Sequence, residues 1–174
     1  MQRYTTPAII LHWLIALLIV CAFVLGLVMT DIPGLTPTKL KYYSWHKWLG
    51  ITVLALAAGR LLWRLKQQPP AFPASMSARQ MQAAEAGHWL LYLLMFAVPV
   101  SGYLYTTAAG VPVVYLGLFQ IPSLFDASPA LKEALKPVHY WLNMLLAAVV
   151  AGHVLAALKH QFIDKDGLLK RMLP

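Results

Sequence analysis

LKPVHYWLNMLLAAVVAGHVLAALKH, residues 135–160, shows most plainly how this chain is built. Between Lys136 and Lys159 it holds no acid and no fixed base, and residues 138–158 are long enough as a helix to cross a hydrocarbon core about 30 Å thick. Pro137 suits the first turn of that helix, where its missing N–H costs nothing. Three earlier stretches read the same way. Between Arg3 and Asp31 there is no charge, and residues 8–29 form the first span. That run is too long for the apolar part of a secretory leader and lacks a small-residue cleavage site, so it is expected to stay in the mature protein; bulky Val20 ahead of Cys21 also speaks against a lipoprotein cysteine. Residues 43–65 form the second span, uncharged only over 48–59, with Lys47, Arg60 and Arg64 snorkelling toward the interfaces. The third is 86–106, the first half of 40 residues without acid or base; Gly110, Pro112, Gly117 and Pro122 break the second half into an aromatic-rich interfacial connection through Tyr115 and Phe119. Pro69, Pro70 and Pro73 mark a linker between spans two and three.

Composition agrees. Of 174 residues, 60% are apolar and 11% charged, against about 25% charged in a typical soluble domain. The mean hydropathy is +0.64. One membrane-embedded domain over 1–174, an all-α bundle of four transmembrane helices, is predicted, and disordered, collagen-like and disulfide-built classes are excluded. The lone Cys21 has no partner for an internal bridge. The net charge of +8 comes from 14 Lys and Arg scattered between the spans, a topology signal rather than a nucleic-acid surface. Arg3, Arg60, Arg64, Lys66, Arg79, Lys159, Lys165, Lys170 and Arg171 put nine on the side of the termini, and Lys39, Lys41, Lys47, Lys132 and Lys136 put five opposite. The termini are therefore expected in the cytoplasm.

Six histidines lie in or beside these spans, and ionisable groups at membrane depth are costly and usually functional. His139 and His153 are 14 residues apart, which leaves them within about 40° of one helix face and about 21 Å apart along it. Each can serve its own cofactor. A haem held by two imidazoles needs a second histidine at matching depth on another helix. Measured from the span centres, His46 matches His139 on the outer side and His12 matches His153 on the inner side, so the axial pairs are His46 with His139 and His12 with His153. Gly50, Ala16, Gly152, Ala148 and Ala156 leave room beside these ligands, although small residues also let helices approach in lipid. A zinc site would gather its ligands at one point instead of two layers. His88 and His160 remain, both on the inner side, where imidazoles can deliver the protons that quinone reduction consumes. Two other readings stay open: His88 in place of His12 as ligand, or ordinary interfacial histidines.

The segments ILHWLIALLIV, WHKWLGITVLALAAGRLLWRL, AGHWLLYLLMFAVPVSGY, LKPVHYWLN and GHVLAALKHQF, in this order, resemble the bacterial cytochrome b561 family over nearly the whole chain. The resemblance implies a diheme b-type cytochrome of the inner membrane, with His12, His46, His139 and His153 as iron ligands. Among short stand-alone members it is similar to those that oxidise superoxide. It then implies two haem b cofactors, superoxide as the outer electron donor and ubiquinone as the acceptor. The loops, TDIPGLTPTKLKYYSW and residues 108–137, do not match the family with the same clarity. Lys39, Lys41, Lys47, Lys132 and Lys136 are candidates for steering an anion, partly cancelled by Asp31, Asp126 and Glu133. Arg60 and Arg64 are placed to meet lipid headgroups or haem carboxylates. The competing function is an electron-transfer subunit linking a partner dehydrogenase or soluble cytochrome to the quinone pool, for which a stoichiometric redox partner would be the sign.

Overall fold

The computed structural model describes residues 3–173. Four helices, α1 (Thr6–Asp31), α2 (Pro37–Lys66), α3 (Ala78–Ala108) and α4 (Pro129–Lys159), are each long and apolar enough to cross a membrane. Between α3 and α4 lies an antiparallel pair of short strands, β1 (Val113–Tyr115) and β2 (Phe119–Ile121). Few of the helical side chains are buried inside the protein. Trp13, Leu17, Val20, Val24, Leu62, Leu93, Trp141 and Leu155 are among the many large apolar groups facing outward, as lipid rather than water requires.

The helices run further than their uncharged cores. Thr36 Oγ accepts from Lys39 N at 3.2 Å, Ser77 forms a reciprocal capping box with Gln80, and Ser128 Oγ accepts from Leu131 N at 3.3 Å. These caps satisfy the free N–H groups of a first turn and start α2, α3 and α4 six to eight residues earlier than charge alone suggests. The second span, short of uncharged residues in the sequence, becomes a 30-residue helix. Pro137 lies inside α4, not in its first turn; Pro129 occupies that place. The carbonyl that Pro137 leaves unpaired belongs to exposed Glu133 at the helix end, where solvent can satisfy it.

In the chain, α1 packs on α2, α2 on α3, and α3 on α4. The core cluster, Ile15, Val53, Ala57, Tyr92 and Met95, comes from α1, α2 and α3 alone. α4 stands across a cavity from it. The hairpin turns through Leu116 (φ 52°) and Gly117 (φ 74°), a backbone that suits tight antiparallel turns and is unusual for leucine. It docks on α2: Trp48 Nε1 donates to Val114 O at 2.7 Å, and the Tyr115 hydroxyl meets Thr52 Oγ at 2.9 Å. Tyr103 also donates to Pro122 O, tying the segment after the hairpin to α3.

Candidate haem-binding site

α2 and α4 bring His46 and His139 together edge-on at the hairpin end of the bundle, with ring centroids 6.2 Å apart and ring planes at 85°. Each ring is oriented through Nδ1. His46 Nδ1 lies 2.9 Å from Ala22 O, and His139 Nδ1 lies 3.1 Å from Val98 O. A carbonyl can only accept, so Nδ1 carries the proton in both rings and Nε2 keeps its lone pair. Asn143 Nδ2, a donor, sits 3.3 Å from His139 Nε2 and marks the same nitrogen as the acceptor. Ser101 donates to Val98 O at 2.7 Å and receives His139 Nδ1 at 2.9 Å. Such outer hydrogen bonds are what fix the tautomer of metal-ligating imidazoles.

Two glycines make room for these rings. A Cβ on Gly102 would lie 2.8 Å from His139 Cε1, and one on Gly26 would lie 3.2 Å from His46 Cε1. The sequence points instead to Gly50 and Gly152, beside His46 and His153. Gly50 does line the cavity, whereas nothing stands within 4 Å of a Cβ built on Gly152. The cavity beside His46 and His139 measures about 250 Å³ and is lined by Val53, Met95, Pro99 and Leu146 among others, with Asn143 and the two histidines as its polar groups.

Nearer the termini a second group forms around His153 of α4. His12 of α1 has its ring centroid 6.2 Å away and His88 of α3 has its centroid 5.5 Å away. Among the described residues none of these three rings has a hydrogen-bond partner. Arg60 donates to Ala8 O at 2.8 Å, one turn before His12, and Arg64 lies over the Trp89 and Tyr92 rings, 5.6 Å and 5.9 Å from their centroids. With Arg3, they edge a cavity of about 490 Å³ that opens toward the linker.

His160 stands apart from this trio. Its Nδ1 is 2.6 Å from Asp166 Oδ2 and 3.1 Å from Asp164 Oδ2. Neither carboxylate is legible in the sequence, because the turn that returns them to the helix has no periodic signal. Four of the five steering candidates have local partners: Lys39 donates to Ile32 O at 2.6 Å, Lys47 to Pro112 O at 3.3 Å, Lys41 lies over Trp45 and Lys132 pairs with Glu133.

The donor set fits a b-type haem. His46 and His139 line a largely apolar cavity with their Nδ1 atoms held by backbone carbonyls, so their Nε2 atoms are the ones that would hold a haem iron, which would supply one-electron chemistry there. Comparisons with known proteins agree. Residues 3–174 match the family model described as prokaryotic cytochrome b561. The chain is 38% identical over 172 residues to cytochrome b561 homolog 2 of Escherichia coli strain K12, covering 99% of this chain and 92% of that protein. It is 31% identical over 177 residues to a probable superoxide oxidase, CybB, of Yersinia pestis, covering 99% and 97%. It is 29% identical to cytochrome b561 homolog 1 of the same Escherichia coli strain, over 100% of this chain and 98% of that protein. With two imidazoles poised across a membrane bundle, and a family match spanning all but its first two residues, this chain belongs to the prokaryotic cytochrome b561 family, the haem-binding electron-transfer cytochromes of bacterial membranes.

Proposed function

We propose that this chain is a superoxide:ubiquinone oxidoreductase holding two b-type haems, one between His46 and His139 and one between His12 and His153. The observation that carries this reading is the repetition of one ring separation, 6.2 Å, at two stations on the same helix. His88 lies closer to His153 than that spacing, which supports His12 as the inner ligand. The bound haems supply reversible one-electron chemistry and carriage across the bilayer. The protein supplies ligands, tautomer and exclusion of water.

The excess of Lys and Arg on the terminal side supports cytoplasmic termini. The hairpin end then faces the periplasm, where superoxide gives up one electron and leaves as oxygen with no proton to be moved. At the terminal end ubiquinone takes two electrons, one from each of two superoxide anions, together with two protons. His88 and His160, the remaining imidazoles on that side, deliver these protons. Arg60 and Arg64 hold the anionic groups that gather at that surface. The likeness to a probable superoxide oxidase over nearly the full length of both chains supports this choice of donor.

A spectral titration of the purified protein is the test. Two haems per polypeptide, reduced by potassium superoxide and reoxidised by a short-chain ubiquinone, are expected. A single haem, or no reduction by superoxide, refutes the reading. A stoichiometric redox protein that copurifies and alone reduces the haems would favour a subunit role.

A further inference from the structure

We propose that Asp166 is a positioning residue for proton delivery, its carboxylate holding the Nδ1 proton of His160 so that Nε2 is left to exchange the proton that quinone reduction consumes. This rests on the ubiquinone reaction proposed above. α4 does not stop at Lys159 but passes into a π-helical turn, His160–Asp164, a rare form that concentrates at functional sites. Lys165 then adopts a left-handed backbone (φ 53°) and Gly167 another (φ 76°). Glycine takes such a φ freely, whereas a lysine held there is strained. Between these two positions the chain reverses and lays Asp166 back on the helix end.

The result is a dyad. Asp166 Oδ2 lies 2.6 Å from His160 Nδ1, and Oδ1 accepts the Leu168 N–H at 3.0 Å, so both carboxylate oxygens are fixed. Only 7% of the Asp166 side chain and 16% of the His160 side chain are exposed. The charged groups facing the ring are Asp166, Asp164 and, through Asp164 Oδ2 at 2.5 Å, Lys159. Lys159 offsets the charge of Asp164. A carboxylate only accepts, so the Nδ1 proton stays in the dyad while Nε2–H passes to a quinone oxygen, leaving the neutral Nδ1–H ring to be reloaded from the aqueous face. His160 follows His153 by seven residues, two turns and about 10 Å along the axis, on nearly the same stripe.

Stopped-flow spectroscopy of the holoprotein separates the two half-reactions. Potassium superoxide reduces the haems in a step that needs no proton; a short-chain ubiquinone reoxidises them in one that does. D166N is expected to leave the reduction rate unchanged, slow reoxidation by at least about tenfold and enlarge its solvent deuterium effect, with D166E within about threefold of the parent. Reoxidation of D166N at the parent rate overturns the proposal. So does an equal slowing of both phases, the mark of a merely structural role. Should D166N fail to fold, D166E decides: a loss as large as that of H160Q also overturns it. Failure of the parent protein to be reoxidised by quinone refutes the underlying reaction instead.

Discussion

Replacing Gly102 with alanine tests the outer station directly. The added methyl would sit 2.8 Å from His139 Cε1, 3.3 Å from Nδ1 and 3.4 Å from Nε2, where carbon atoms prefer about 3.5–4.0 Å. The neighbour that must yield is an imidazole pinned by Val98 O and Ser101, not the loose end of a flexible chain. Forcing an extra methyl into such a packed site costs about 1–3 kcal/mol. If that cost falls on the ring in its ligating position, the outer station's hold on haem weakens by about five- to 150-fold. Gly26→Ala is the internal control, since its methyl meets His46 Cε1 at 3.2 Å and needs a shift of only a few tenths of an ångström. Pyridine haemochrome assay against protein concentration, with a redox titration, reads the outcome. The parent and G26A should hold two haems, and G102A about one, with the lower spectrum belonging to the inner station. Circular dichroism should show unchanged helix content. A G102A protein that keeps both haems with unaltered midpoints would refute the reasoning that His139 needs this gap.

Further outcomes follow from the same geometry. His88→Gln should retain both haems while slowing quinone reduction by about tenfold or more; loss of the inner haem would make His88, rather than His12, the axial ligand. Gly167→Ala strains a left-handed turn and should slow haem reoxidation by quinone without altering reduction by superoxide, to a smaller degree than H160Q; equal rates in all three proteins would show that the turn does not serve His160. The rate of reduction by superoxide should fall as salt shortens the Debye length from about 30 Å at 0.01 M to about 8 Å at 0.15 M, and K136Q should lower it more than K39Q, because Lys39 is already bonded to Ile32 O. A rate indifferent to salt would remove the steering role from all five lysines.

The order of amino acids sufficed for the four spans, because a bilayer demands a run of apolar residues that only helix can satisfy, and that demand is written in the spacing of the charges. It also determined depth. A fixed rise per residue places each histidine along its own helix, which is how His139 and His153 fall on one face and the six histidines sort into two layers. Periodicity says nothing of how one helix is rotated against its neighbour. Three-dimensional packing was needed to show that Gly26 and Gly102, rather than Gly152, open space for imidazole rings, and that His88 shares the inner group with His12. The same holds for the hairpin's seat on Trp48 and Thr52, and for Asp166, which is returned to His160 by three consecutive backbone irregularities. Those features depend on contacts between residues distant in the chain or on unusual dihedrals, and neither leaves a repeating mark in the order of amino acids.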